Sequence, residues 1–152
     1  MKHWIITIAL LFKIITISGC YHQEESNFKV EVKALDKFQQ ESTTFTKGEE
    51  IVFDLTITNI SSKFQKLWYG GSSIFELIVR DSNNGVAWIL PFERPSNLSV
   101  VEIDLSPNES FTTGYIWNQK GNDGIAIEAG DYEVEGKFLS VSESGKLSIS
   151  IQ

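Results

Sequence analysis

Side chains able to act as nucleophiles, bases or metal ligands are few in this chain of 152 residues. The single cysteine is Cys20, and the two histidines are His3 and His22. A Ser-His-Asp or Cys-His catalytic device needs a histidine base beside its nucleophile, and both histidines precede the part of the sequence that forms strands. A zinc site needs several Cys or His ligands, which are lacking. We therefore predict a protein that is not an enzyme and that uses no metal or cofactor.

Oxygen-bearing side chains cluster at residues 81–85, which read Asp-Ser-Asn-Asn-Gly. Oxygens at alternate positions before a glycine are typical of a calcium loop, but no glutamate follows at the spacing that such a loop requires. An Asn-Gly pair also marks a tight hairpin, which we favour here. The other carboxylates alternate with apolar residues, as on a solvated sheet face, rather than forming an acid–base pair.

Residues 1–19 have the layout of a secretory signal peptide. Lys2 and His3 form a short basic start, and the following run to Ile17 is apolar except for Lys13. This run is too short for a transmembrane helix, which needs about 20 apolar residues. A chance cysteine behind an ordinary signal peptide is the alternative to the interpretation that follows.

The residues Ile17-Ser18-Gly19-Cys20 resemble a bacterial lipobox. The resemblance implies a lipoprotein that is cut before Cys20 and carries a diacylglycerol on the Cys20 thiol, with acyl chains such as palmitate. Two or three acyl chains give stable membrane anchoring. We expect residues 20–27 to be a lipidated tether and the chain to lie on the extracytoplasmic face of the cell membrane.

The net charge of the chain is -7, and removal of residues 1–19, which contain two lysines and no acid, lowers it to -9. A surface of this sign repels nucleic acid and anionic lipid headgroups. We therefore expect no nucleic-acid partner, and contact with the membrane only through the lipid on Cys20.

Candidate contacts with a partner are aromatic and arginine side chains that stand outside the regular strand pattern. Trp, Tyr and Arg are enriched at binding hot spots. The candidates are Trp68, Tyr69, Trp88, Phe92 and Arg94. Two prolines stiffen the segment that contains Phe92 and Arg94 and favour an extended connection. Packing in the core is the alternative explanation for each tryptophan.

Apolar residues recur at every second position through most of the chain after Phe28, which is the period of a β-strand. Seven segments show it, near residues 28–34, 51–58, 75–80, 101–105, 111–117, 132–138 and 147–151. Turn signals rich in Gly, Asn, Asp and Ser separate them by about 8–12 residues. No segment has a helical stripe. The pattern predicts one all-β domain over residues 28–152, either a sandwich or a barrel.

Several motifs follow one another in an order that has a parallel in a known family. They are Thr58-Asn59 with Ser61, Asp81 before Gly85 and Trp88, Leu105-Ser106-Pro107-Asn108-Glu109, Trp117-Asn118, and Gly130-Asp131-Tyr132-Glu133-Val134-Glu135-Gly136. Together, over about residues 49–141, they resemble the intracellular proteinase inhibitor family of BsuPI type. Asn108 replaces the family's usual glycine, which asparagine tolerates at positive φ, and Ala129 replaces a proline.

The resemblance implies an immunoglobulin-like antiparallel β-sandwich of about 7–9 strands that inhibits a serine proteinase. Our first hypothesis is a monomeric, lipid-anchored protein-binding domain that inhibits a proteinase by occluding its cleft with loops. The second is a structural or accessory envelope lipoprotein without a protease target, and the third is a binder of a carbohydrate or small ligand. Inhibition assays, partners recovered from membranes and the solvent exposure of the tryptophans distinguish these hypotheses.

Overall fold

The structure, a computed structural model, describes residues 26–70, 73–90 and 100–152. These residues form ten β-strands and no helix, which confirms the predicted all-β fold. The strands are β1 (Phe28–Leu35), β2 (Thr44–Phe45), β3 (Ile51–Asn59), β4 (Gln65–Gly70), β5 (Phe75–Asp81), β6 (Val86–Ile89), β7 (Val100–Leu105), β8 (Ser110–Trp117), β9 (Gly130–Phe138) and β10 (Ser144–Ile151). Three of them, β2, β4 and β6, belong to none of the seven alternating segments, and they are two, six and four residues long.

Two sheets form the sandwich, one with the strand order β1-β3-β8 and the other with the order β2-β10-β9-β5-β6. The strands β4 and β7 pair with each other as a separate two-stranded ribbon. All pairings are antiparallel except that of β2 with β10. The predicted immunoglobulin-like sandwich is thus confirmed, with ten strands and one parallel pair. The first two strands belong to different sheets, so the N-terminal part of the domain joins both.

The core lies between the two sheets and consists of every second residue of the long strands. In β3, the side chains of Ile51, Phe53, Leu55 and Ile57 are fully buried, while the residues between them are partly exposed. The facing strand β9 shows the same alternation. Burial of one face explains why the apolar period of two was readable in the sequence.

Of the glycines that face the core, Gly136 in β9 has the least space around it between the two sheets. A Cβ atom at this position would lie 2.6 Å from Leu55 Cδ1 and 2.8 Å from Val32 Cγ2, both on the opposite sheet. It would also lie 3.1 Å from Leu77 Cδ2. The glycine therefore leaves room for three larger core side chains.

Asn59, the last residue of β3, is a buried polar side chain whose amide is fully hydrogen-bonded. Its Nδ2 donates to the carbonyl oxygens of Lys63 at 2.7 Å and Leu105 at 3.0 Å. Its Oδ1 accepts from the N–H of Ser61 at 3.0 Å and from the Ser61 hydroxyl at 2.7 Å. These bonds tie the end of β3 to the following loop and to the end of β7, so the Asn59 and Ser61 motif has a structural role.

Tyr132, near the start of β9, is a second side chain that fixes the local backbone by a hydrogen bond. Its hydroxyl donates to the carbonyl oxygen of Glu128, four residues earlier, at 2.7 Å. This geometry is that of a tyrosine corner, which is common in immunoglobulin-like sandwiches. Burial raises the pKa of Tyr132 above its ordinary value, and the nearby charge of Asp81 adds to the increase.

The turns also behave as their residue types predict. Asp81 Oδ1 accepts hydrogen bonds from the N–H groups of Asn83 and Gly85, both at 2.8 Å, and β5 pairs with β6 across this hairpin. Asn108 has a φ of 64°, and Glu109 N–H donates to Ser106 O at 3.0 Å. Asparagine can therefore replace glycine at this turn position, as expected.

Candidate functional site

The ribbon of β4 and β7 turns one face inward and the other toward solvent. Leu67 and Tyr69 of β4 are buried together with Ile103 and Leu105 of β7, while Trp68 is 58% exposed. Alternation along a strand requires this arrangement, because neighbouring side chains point to opposite faces. A large aromatic side chain thus stands in solvent on a short strand whose flanking residues are in the core.

Charged and apolar side chains surround Trp68 on this outer face. Lys66 Nζ lies 5.3 Å from the centroid of the Trp68 ring. The same ammonium group forms a salt bridge with Glu102 and lies 3.3 Å from Asp104 Oδ1. Val100, at the start of β7, is 65% exposed. We call the outward residues Lys66, Trp68, Val100, Glu102 and Asp104 the ribbon face.

The ribbon face has the composition of a protein-binding surface rather than of a reactive site. Trp68 and Val100 are its apolar members, and the ion pairs lie beside them on the same strands. Interface hot spots commonly combine an aromatic anchor with a surrounding polar rim. Salt bridges exposed in this way contribute little to stability, about 0–1 kcal/mol each. Their groups therefore remain free to rearrange against a partner.

Two of the five candidate contacts, Tyr69 and Trp88, are core residues and require a correction. Tyr69 is 3% exposed and Trp88 is 5% exposed, so neither ring reaches the surface. The ring of Trp88 lies 5.5 Å from that of Tyr115 and 5.7 Å from that of Trp117. Burial raises the pKa of the Tyr69 hydroxyl. We therefore keep Trp68 and remove Tyr69 and Trp88 from the contact set.

Phe92, Arg94 and Cys20 lie outside the described residues, as do the predicted signal peptide and most of the predicted tether. In the sequence, Phe92 and Arg94 fall between the end of β6 and the start of β7. The segment that contains them is therefore joined directly to Val100 on the ribbon face.

Sequence reasoning missed Lys66 and Val100 as members of this surface. The residues Lys66, Leu67, Trp68 and Tyr69 alternate between outer and inner positions, but the run is too short to separate from a loop. Val101, where the predicted strand begins, is 38% exposed in the structure. The sequence feature that could have indicated this surface is the pair of opposite charges at Lys66 and Asp104, which face each other in the strand register.

Two further structural observations concern the described ranges only. Within 26–70, 73–90 and 100–152, no helix has the length and apolar character needed to cross a bilayer. In the same ranges, no group of three or more His, Cys, Asp or Glu side chains is arranged to hold a metal ion.

The sequence matches one protein-family model over residues 38–143, described as BsuPI, intracellular proteinase inhibitor. This match covers more than two thirds of the chain and contains β3 to β9 as well as the ribbon face. A comparison with curated proteins gives no match.

Three solved structures are similar to this chain at low sequence identity. The alkylpurine DNA glycosylase AlkC of Pseudomonas fluorescens, bound to DNA with an abasic site analog, has a TM-score of 0.51 and 12% identity, covering 84% of this chain and 31% of its own. A β-glucosidase of Erythrobacter marinus has a TM-score of 0.49 and 14% identity, covering 82% of this chain and 15% of its own. A CARDB domain from Pyrococcus furiosus, in complex with di-metal ions, has 0.42 and 13%, covering 82% and 87%. This chain thus spans less than a third of the two enzymes, and the similarity to AlkC, whose TM-score is 0.51, concerns the fold alone.

Proposed function

This chain belongs to the BsuPI family of intracellular proteinase inhibitors, and we propose that it binds a proteinase through the ribbon face. The observation that carries this choice of surface is Trp68, which is 58% exposed on a strand with buried neighbours. A fully exposed aromatic side chain offers about 150–250 Å² of surface for burial, and somewhat more than half of its surface is available at Trp68. Covering it therefore supplies more apolar contact than any other residue of the ribbon face.

The proposed mechanism is occlusion of the proteinase cleft, without chemistry on the inhibitor. Trp68 and Val100 anchor the contact, and Phe92 and Arg94, which precede Val100 in the sequence, are further proposed contacts. Arg94 is followed by Pro95, whose nitrogen carries no hydrogen. That peptide bond is a poor substrate for cleavage, which suits a segment held in a proteinase cleft.

A membrane-anchored location is a separate part of the proposal. It is supported by the Ile17-Ser18-Gly19-Cys20 motif behind a basic and apolar N-terminal stretch. The family description, by contrast, refers to intracellular inhibitors. Mass spectrometry of the protein from its native host tests this location, since a lipidated N-terminal Cys20 is expected. Retention of Met1, or an unmodified Cys20, contradicts it.

The inhibitory activity is tested by titrating proteinases with the full chain. A subtilisin-type serine proteinase and representatives of the cysteine and metalloproteinase classes form the panel. We expect the residual activity of at least one of these proteinases to fall when the protein is present at micromolar concentration or below. Absence of inhibition across the panel at micromolar protein contradicts the proposal, and recovery of a non-proteinase partner from membranes favours the envelope role instead.

A matched pair of variants locates the contact. Trp68→Ala should weaken inhibition. The control is Phe38→Ala, which removes an aromatic ring that is 71% exposed in a turn far from the ribbon in the sequence and should leave inhibition unchanged. An equal effect of both variants would show that loss of any exposed aromatic ring matters and would remove the ribbon face from the proposal.

A further inference from the structure

The edge strands of the two sheets differ in how they are protected from pairing with another chain. Proteins usually shield an edge with charges, proline, a short strand or a covering segment. The edge strand β1 presents Lys29, Glu31 and Lys33, and the edge strand β2 has only two residues. These two edges therefore follow the usual rules.

The edge strand β6 is protected by a side chain that makes the two backbone hydrogen bonds a neighbouring strand would make. Asn122 Nδ2 donates to the carbonyl oxygen of Ile89 at 2.7 Å, and Asn122 Oδ1 accepts from the N–H of Ile89 at 2.9 Å. Both outward backbone groups of one β6 residue are thus satisfied from within the chain.

Within the part of the chain that the structure describes, the remaining edge strand, β8, shows none of these protections. Its eight residues, Ser110–Trp117, include no charged residue and no proline. Among the described residues, β8 pairs only with β3, and no strand pairs with its other side. The side chain of Ile116 is 59% exposed beside this open edge.

The register shows which backbone groups face the open edge. Asn59 N–H donates to Glu109 O at 3.0 Å, directly before Ser110 pairs with Thr58. Hydrogen-bonded and non-hydrogen-bonded pairs alternate along antiparallel strands. The N–H and C=O groups directed away from β3 are consequently those of Ser110, Thr112, Gly114 and Ile116. All four residues are exposed.

A carboxylate lies next to this edge with only a glycine between them. Asp54 of β3 is the register partner of Gly114, and a Cβ atom at Gly114 would lie 2.8 Å from Asp54 Oδ1. Within the described residues, Asp54 forms no salt bridge, and its β1 neighbour Lys33 bonds to Glu41 at 2.8 Å. Since Gly114 has no side chain, a long basic side chain on an added strand can reach Asp54 over it.

We propose that the open edge of β8 binds an extended peptide segment of a partner protein, with a Lys or Arg placed opposite Gly114. Main-chain hydrogen bonds would supply the pairing, as in other cases of strand addition. The Asp54 carboxylate would select the basic residue. A second copy of this chain fits the edge less well, because its net charge is -7 and β8 carries no basic residue. This site is distinct from the ribbon face and does not rest on proteinase inhibition.

Two synthetic peptides test the proposal on the full chain. One is acetyl-Thr-Val-Thr-Lys-Thr-Val-Thr-amide, and the other has Glu in place of Lys. Backbone amide spectra should show saturable shifts at Ser110, Thr112, Gly114 and Ile116 on addition of the Lys peptide. Opposite charges on neighbouring strands attract, whereas like charges repel. The Lys peptide should therefore bind about threefold more tightly than the Glu peptide, and the variant Asp54→Asn should abolish this preference.

A blocking variant and a modified peptide separate edge pairing from other contacts. Thr112→Pro removes an N–H on the open edge, where proline is tolerated, and should abolish the shifts, whereas Thr112→Val keeps that N–H and should preserve them. A Lys peptide N-methylated at alternate residues tests the same bonds without altering the protein and should not bind. Shifts centred elsewhere, no shifts at millimolar peptide, or concentration-dependent shifts of β8 without peptide would each overturn the proposal, the last in favour of self-association.

Discussion

The side-chain amide of Asn59 donates a hydrogen bond to the carbonyl oxygen of Leu105 at 3.0 Å and so joins the end of β3 to the end of β7. Because β7 is one strand of the ribbon, this buried contact helps to hold the ribbon face against the sandwich. The ribbon contacts the body of the domain through its buried residues as well, and Asn59 adds a polar contact to that attachment.

Replacement of Asn59 should be strongly destabilising. Asn59→Leu removes the amide donor from the Leu105 carbonyl oxygen, whereas the Lys63 carbonyl oxygen still accepts from the Ser61 hydroxyl at 3.0 Å. An unsatisfied buried polar group costs about 1–3 kcal/mol. We expect a loss of about 1–3 kcal/mol in the free energy of unfolding, measured by urea denaturation. Asn118→Leu, at an exposed position, is the control, and equal midpoints for the two variants would contradict the assigned role.

Gly136→Ala should destabilise the domain through overpacking. The added methyl group would meet Leu55 Cδ1 at 2.6 Å and Val32 Cγ2 at 2.8 Å, so the two sheets must separate or these side chains must change rotamer. Overpacking of this kind costs about 1–3 kcal/mol. Gly70→Ala is the matched control, because no atom lies within 4 Å of its added Cβ. A thermal midpoint unchanged by Gly136→Ala would show that the core yields easily there.

The two tryptophans proposed as contacts from the sequence should respond in opposite ways. Trp88→Ala removes a buried ring that packs on Trp117, and deletion of a buried aromatic side chain costs about 3–5 kcal/mol. Trp68→Ala should leave the free energy of unfolding nearly unchanged. The same Trp68 variant should raise the inhibition constant at least tenfold, equivalent to about 1.4 kcal/mol. Stability loss by Trp68→Ala, without loss of inhibition, would reverse this assignment.

Stability should fall in alkaline solution because of two buried phenols. Burial raises the pKa of Tyr69 and of Tyr132 above the ordinary value of 10.0. As the pH rises past this value, the unfolded chain releases these protons while the folded protein retains them, so the folded state loses relative stability. Urea midpoints measured between pH 8 and 11 should decrease above about pH 10. The decrease should be smaller for the Tyr69→Phe and Tyr132→Phe double variant, and an identical decrease would exclude these groups.

The long strands could be predicted because each buries one face over many residues. β1, β3, β5, β9 and β10 all follow the period of two that is visible in the sequence. The short strand β4 could not be found in this way, and its side-chain directions depend on pairing with β7. For the same reason, the sequence did not distinguish the exposed Trp68 from the buried Tyr69 and Trp88.

Asn59 shows a different limit of sequence reasoning. Asparagine is usually exposed, so its residue type gives no reason to expect complete burial. Its burial depends on carbonyl groups from two separate segments, only one of which is near it in sequence. The motif that contains Asn59 can be seen in the sequence as a family feature, but its role depends on contacts that form only in the folded chain. The open edge of β8 could likewise not be predicted, because an edge strand is one that has no pairing partner on one side.

The parallel pairing of β2 with β10 has a mechanical consequence. Three backbone hydrogen bonds join this seam: Ser150 N–H to Thr43 O, Gln152 N–H to Phe45 O and Lys47 N–H to Gln152 O, at 2.8, 2.9 and 2.8 Å. Tension that pulls the beginning of β2 away from the end of β10 acts along the parallel strands, so these bonds share the load and must break together. A domain held at one end and pulled at the other would therefore resist stretching at this seam.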